Sequence, residues 1–228
     1  MRVLTIPGVF RPRSDSRLLA RLLASVIEPG RTVLDPFTGT GVLAVTAALA
    51  GAEATAVDVS RRAVVCAWLN GLINGARIRV RRGDMFAPVR GERFDVIVAN
   101  PPYLPTASDA EPRGAARAWE GGADGRRVLD RLCRSATEHL TPGGRLLVVH
   151  SSVCGSEATV GILDRAGMDV EVIARERGPL GPLLRRRARA LERRGILAPG
   201  QGEEDIVVFS ATPRVNVSGV ATTGTPVP

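Results

Sequence analysis

Four consecutive residues, Asn100-Pro101-Pro102-Tyr103, close a short apolar run and carry the most specific chemistry in the chain. Each proline fixes its own φ angle and drives the residue before it toward an extended conformation, so the corner is stiff. The Asn100 side-chain oxygen and the Pro101 carbonyl can both accept hydrogen bonds from one NH2 group. Tyr103 offers an aromatic face to a flat amide or base. Such a nitrogen is a poor nucleophile because its lone pair is delocalised. Two acceptors on its hydrogens concentrate density on nitrogen and aim it, while positive charge develops in the transition state. The tetrapeptide therefore reads as a site of group transfer to a planar nitrogen. Asn100, Pro101 and Tyr103 are its catalytic candidates; Asn100, Pro102, Tyr103 and Trp119 are its substrate-binding candidates. A rigid proline turn is the plainer alternative.

A second set of residues suits a nucleoside. Thr32-Val33-Leu34-Asp35 leads into Pro36-Phe37-Thr38-Gly39-Thr40-Gly41, the run from Ala54 to Val59 carries Asp58, and Gly83-Asp84-Met85-Phe86 follows the run Ile78 to Arg81. Glycines let a backbone pass close to a ligand at the carboxyl edge of a parallel sheet. Asp58 can accept from both ribose hydroxyls, and Asp84 from an exocyclic adenine amine. The turn is not a phosphate loop, because no Gly-Lys-Ser/Thr follows, and it lacks the dinucleotide spacing. Three acidic strand ends repel a polyphosphate but tolerate a sulfonium. That points to S-adenosyl-L-methionine, spent as S-adenosyl-L-homocysteine, with Asp35, Gly39, Thr40, Gly41, Asp58, Asp84, Met85 and Asn100 as its binding candidates. No metal ligands are expected.

These residues need a frame. Short apolar runs alternate with helical patterns, the signature of a parallel sheet covered on both faces. Strands are expected at 32–35, 54–59, 78–81, 94–99, 144–150, 168–173 and 206–210. Helices are expected at 15–26, with Asp15 as a cap and Leu18, Leu19, Leu22 and Leu23 on one face, at 60–72 with Ser60 as a cap, at 126–140 and at 157–166. The segment 106–125 is long for a connection and is a candidate lid. One domain is expected over 1–211, with 1–30 as an entry helix segment and 212–228 as a flexible tail. Trp68, Cys66 and Cys133 read as core, His139 as a helix-end residue, His150 as a core or edge residue, Cys154 as near the crevice mouth, and Arg126 as a contact to an acidic substrate group.

The 228 residues are 44% hydrophobic, which excludes a disordered chain. No run approaches the length of a membrane span, there is no leader pattern, and three scattered cysteines make neither a disulfide framework nor a zinc cage. A cytoplasmic protein is expected. The net charge is +8, and all 31 basic residues are arginine. Eight of them lie between Arg175 and Arg194, opposed there by Glu176 and Glu192. That segment suits a solvated helix face or an acidic or nucleic-acid partner.

The ordered series Asp35, Gly39-Thr40-Gly41, Asp58, Asp84 and Asn-Pro-Pro-Tyr resembles the Rossmann-like class I methyltransferases. More narrowly the chain resembles the HemK/PrmC family of protein-(glutamine-N5) methyltransferases. Gly8-Val9-Phe10-Arg11-Pro12-Arg13-Ser14-Asp15-Ser16 is similar to the family's entry segment. Ala118-Trp119-Glu120-Gly121-Gly122-Ala123-Asp124-Gly125-Arg126 is similar to its element after the catalytic strand, and Leu140-Thr141-Pro142-Gly143-Gly144 to its turn into strand five. The resemblance implies a seven-stranded, mostly parallel α/β sheet and methylation of a glutamine amide in a release factor or similar protein. The single-domain archaeal and eukaryotic branch is most alike and implies a small activating subunit. Asp35-Pro36-Phe37-Thr38-Gly39 departs from the family and resembles the motif of nucleic-acid amino-methyltransferases. An exocyclic base amine therefore stays open as acceptor, as do a small molecule and a non-catalytic nucleoside-binding module.

Overall fold

The computed structural model describes residues 1–106 and 114–214. Its elements are α1 (Ser14–Val26), β1 (Thr32–Asp35), α2 (Val42–Leu49), β2 (Glu53–Asp58), α3 (Arg61–Ile73), β3 (Ile78–Arg82), β4 (Phe94–Ala99), α4 (Arg127–Ser135), β5 (Leu140–Ser151), α5 (Ser156–Arg165), β6 (Met168–Pro179), α6 (Pro182–Arg193) and β7 (Glu203–Pro213). The strands make one seven-stranded sheet in the order β3-β2-β1-β4-β5-β7-β6. Every pair is parallel except the two that β7 makes with β5 and β6. Strand order reverses between β1 and β4, and open sheets bind ligands at the carboxyl ends of such a pair.

The alternation of side chains along each strand sorts the core into two layers. Val33, Val96, Val98 and Leu147 meet Leu18, Leu19 and Leu23 of α1 and Leu43 and Ala47 of α2. Leu34, Ile97, Ala99, Leu146 and Val148 meet Leu129 and Leu132 of α4 and Ile162 and Leu163 of α5. The continuous apolar reading of β4 follows from burial on both faces. No helix among the described residues is long and apolar enough to cross a membrane.

Several local expectations change. The helix expected over 126–140 stops at Ser135; a 3-10 turn spans Ala136–His139, and Leu140 already pairs with Phe94 in the sheet. His139 ends that 3-10 turn, as a helix-end residue, and its ring also stacks on Phe86 at 4.3 Å with Nδ1 3.2 Å from the Glu92 carbonyl. β6 and β7 run well beyond the expected 168–173 and 206–210, because their excess is a two-stranded antiparallel extension. Its charged residues pair across it, Arg175 with Asp205 and Arg177 with Glu203. Polar composition hid those strand ends. Thr212 and Pro213 belong to β7, opposite Asp169 and Met168, so the expected tail starts too early; residues 215–228 lie outside the described residues. Ser60 does cap α3, accepting from the Ala63 N–H at 3.4 Å.

Trp68 is not core. It is 51% exposed, because α3 packs through its small face (Ala63, Cys66, Ala67 and Gly71) and turns Val65, Trp68 and Leu72 outward. The period was right and the face was wrong. Fully buried Leu147 sets the contrast. In urea denaturation, Leu147→Ala is expected to cost about 2–5 kcal/mol and Trp68→Ala no more than about 0.5 kcal/mol. Equal costs would put Trp68 back in the core.

Candidate active site

The corner after β4 is held from below and from the side. Asp15, in the first turn of α1, is buried, and its Oδ2 accepts from the Tyr103 hydroxyl at 2.8 Å and from the Asn100 Nδ2 at 3.2 Å. The same Asn100 nitrogen donates to Ser16 Oγ at 3.0 Å. Asp15 is therefore not a helix cap, as the sequence suggests; the N-cap position is Arg13, and the carboxylate is spent on the corner. With its NH2 group tied to Asp15 and Ser16, Asn100 presents Oδ1 as its remaining polar atom. Burial and the neighbouring Asp15 carboxylate hold the Tyr103 phenol well above its ordinary pKa, so it stays a donor.

Glycines make room for this corner. A Cβ on Gly125 would lie 2.2 Å from the Tyr103 carbonyl oxygen, and one on Gly121 would lie 2.8 Å from that of Pro102. The Leu104 N–H donates to Trp119 O at 2.8 Å, and the Gly121 and Thr106 N–H groups donate to Leu104 O and Gly122 O at 3.0 and 2.9 Å. The described end of the expected lid is thus tied alongside residues 104–106; residues 107–113 of it lie outside the described residues. Arg187 of α6 fastens the strip, donating to Pro105 O at 2.9 Å and pairing with Glu120.

A cavity of about 970 Å³ opens at the carboxyl ends of β1, β2 and β4. Gly39, Thr40, Asp58, Asp84, Met85, Asn100 and Pro102 line it, beside Phe37. Asp58 accepts from the N–H groups of Gly39 and Ser60, each at 2.9 Å, and burial raises its pKa. Asp84 pairs with Arg131 at 2.7 Å at the rim. Asp35 and Gly41 stand elsewhere. Asp35 is fully buried beneath the turn, where it accepts from Thr38 Oγ1 at 2.8 Å; burial pushes its carboxyl up to about 7. Gly41 has φ +83°, and a Cβ there would lie 2.9 Å from Ala67, so its role is to let α2 approach α3.

A second cavity, of about 440 Å³, lies across Asn100 from the first. Asp15, Asn100, Pro101, Tyr103 and Trp119 line one side of it, and Leu180, Leu184, Glu204 and Ile206 the other. Pro102, expected on the substrate side, lines the larger cavity instead, while Asn100 lines both.

Other sequence candidates belong to the frame. Arg126 does not reach a ligand; it is buried, donates to Cys154 O at 2.6 Å and Gly155 O at 2.9 Å, and pairs with Asp130 at 2.8 Å. Cys154 is not at a mouth: it is buried under the corner, its Sγ donating to Tyr103 O at 2.9 Å, and burial pushes its thiol up. His150 is in the core, against Phe209 and Thr159, where burial lowers its pKa to about 4. The sequence reading missed Ser16 and Glu204. Ser16 sits in the entry segment beside Asp15, whereas nothing local marks Glu204.

The methyltransferase small-domain family model matches residues 1–114. A putative protein N5-glutamine methyltransferase of Methanocaldococcus jannaschii is 36% identical over 180 residues, 78% of this chain and 90% of that protein. A release factor glutamine methyltransferase of Geobacter sulfurreducens is 34% identical over 172 residues; the match covers 71% of this chain and 59% of that longer protein. Among solved structures, the E. cuniculi Mtq2–Trm112 complex, described as responsible for methylation of the eRF1 translation termination factor, matches with a TM-score of 0.62 at 19% identity, over 91% of this chain and 99% of that one. At that identity the likeness is one of fold.

The Asp35 carboxyl gives a pH test. Its folded pKa lies above its ordinary value, so its contribution to stability is full below about pH 4 and is lost as pH rises through about 7. Asp35→Asn removes that titration. The wild type is expected to lose thermal stability relative to the variant between pH 4 and pH 7. A difference that does not change with pH would contradict the buried-carboxyl account.

Proposed function

The chain belongs to the methyltransferase small-domain family, and from that premise we propose that it methylates the side-chain amide nitrogen of a glutamine in a peptide-chain release factor or a similar protein of translation. A cytoplasmic location follows from such a substrate. S-adenosyl-L-methionine, the proposed methyl donor, supplies when bound a methyl carbon activated by its sulfonium. The donor set of the larger cavity fits it: Asp58 for the ribose hydroxyls, the Gly39-Thr40 turn for close backbone approach, Asp84 and Met85 for the base.

Asn100 carries the reading, because it alone of the corner lines both cavities and its NH2 group is already tied. Its Oδ1 and the Pro101 carbonyl would take the two hydrogens of the acceptor amide and aim the nitrogen across the junction. Acceptors fixed before the reaction favour the positive charge that grows on nitrogen without reorganising. Asp15 and Ser16 act through Asn100, and Asp15 also fixes the Tyr103 hydroxyl. Trp119 would flank the acceptor.

An exocyclic amine of RNA or DNA is the second reading. Of the arginines between 175 and 194, Arg175, Arg177, Arg187 and Arg194 make internal contacts. Arg185, Arg186, Arg189 and Arg193 are exposed and have no acidic partner among the described residues. That surface suits a phosphate backbone. A small activating subunit, in turn, has a face available: Val65, Trp68, Leu72 and Ile73 are exposed on α3 beside the edge strand β3. In a Trp119→Phe background, adding a small activating subunit of that kind is expected to shift the Trp68 emission to the blue. An unchanged spectrum in a formed complex would sink that assignment.

Incubation with labelled donor plus, separately, release factor and total RNA is expected to add about 14 Da to one glutamine; label on RNA alone would favour the second reading. Asn100→Ala is expected to lower kcat by about a hundredfold or more while donor affinity by calorimetry stays within about threefold. Asp15→Ala is expected to act the same way, more weakly. Lost donor binding with normal turnover would refute the acceptor-side role.

A further inference from the structure

The far wall of the smaller cavity holds a carboxylate that nothing above uses. β7 leaves β5 at the pair Ser151–Ile206 but stays paired with β6 as far as Pro179–Glu203. This two-stranded overhang, closed by α6, stands above the carboxyl edge of the sheet. It contributes Leu180, Leu184, Glu204 and Ile206 to the cavity. Glu204 is 9% exposed; its Oε1 accepts from the Gly181 N–H at 2.6 Å, and its Oε2 has no partner among the described residues. That oxygen is open to the cavity rather than sealed in the core, so a bound substrate that displaces water from it must supply a donor in return. Tyr103 of the corner lines the same cavity, and the Glu204 charge adds to burial and Asp15 in raising the Tyr103 phenol.

We propose that Glu204 is a specificity-determining residue: its open oxygen accepts a main-chain N–H of the acceptor peptide next to the glutamine. This rests on the glutamine reading. A neutral main-chain donor suits the site, because the lining sets Arg13, Arg177 and Arg185 against Asp15, Glu176 and Glu204, with Asp15 spent on the corner and Glu176 and Arg177 paired elsewhere, so no net negative field draws in a lysine or arginine side chain. Arg185, exposed and without an acidic partner among the described residues, can donate to a neighbouring peptide carbonyl. The substrate then completes the partners that the fold leaves open. An analogue lacking that N–H would seal the carboxylate in with its lone pair unmatched, and the discrimination arises there.

The test uses the full chain, wild type and Glu204→Gln, with synthetic release-factor loop peptides centred on the glutamine. Each peptide has one main-chain N–H replaced by N–CH3. The glutamine side chain keeps an oxygen for Gly181, and a melting curve checks that the fold is retained. With the wild type, one N-methylated position is expected to lose about tenfold to a hundredfold in kcat/KM. The variant is expected to show about a tenfold higher KM for the parent peptide, with kcat changed less than about threefold, and to be indifferent to that same N-methylation. Equal sensitivity of the two proteins at every position would overturn the role of Glu204 and leave glutamine methylation standing. A wild-type preference for a cationic residue beside the glutamine, lost in the variant, would overturn the main-chain N–H as partner. If the wild type methylates neither the peptides nor intact release factor but does label RNA, the glutamine reading falls and the inference with it.

Discussion

One buried carboxylate organises the corner on which the proposed chemistry depends. Asp15 gathers the hydroxyl of Tyr103 and the amide of Asn100, from positions 88 and 85 residues away, together with the N–H of its neighbour Ser16 at 2.6 Å. The energetics run both ways. A carboxylate removed from water needs several donors, and these supply them. An asparagine amide can flip, and here its NH2 end is held so that the oxygen faces the cavities. The first helix thus serves as the second half of the active corner, beyond covering one face of the sheet.

In the proposed reaction the two cavities divide the labour of donor and acceptor. One is wide, open at the switch point of the sheet and lined by strand-end carboxylates; the other is smaller and largely apolar on its far wall. Asn100 joins them. The larger cavity draws mostly on residues within the matched family segment 1–114, with Ala115, Arg117, Ala118, Glu120, Arg127, Val128 and Arg131 added after it. The far wall of the smaller one comes from the β6–β7 overhang and α6. In the proposed function, donor binding and acceptor choice thus draw on different parts of the chain, so the acceptor could change without rebuilding the donor site.

Arginine is the chain's sole basic residue type, and placement decides what each one does. Arg126 is locked inside, Arg187 fastens the strip beside the corner, and Arg175 and Arg177 tie the overhang strands together. Exposed ion pairs of this kind contribute little to stability individually. Their value here is register, since they hold the overhang that walls the acceptor cavity. The sum of +8 conceals all of this.

Local patterns determined a great deal. The strand run Phe94–Ala99, the cap at Ser60, the glycine turn after Asp35 and the stiffness of Asn100-Pro101-Pro102-Tyr103 follow from side-chain period, capping chemistry and fixed φ angles, which act over a few residues. The order of acidic strand ends likewise placed Asp58 and Asp84 at one cavity on the carboxyl edge of the sheet. What the sequence could not decide was which partner each polar or aromatic side chain would find. Asp15 looks like a cap until α1 docks on the corner; Asp35 looks like a ligand contact until the turn closes over it; Trp68 looks like core until α3 packs by its small residues. Glu204 comes to line the smaller cavity only because an antiparallel pair outruns its neighbour. Hydrogen bonds and burial are made between residues brought together by the sheet, and a one-dimensional pattern carries no record of that distance.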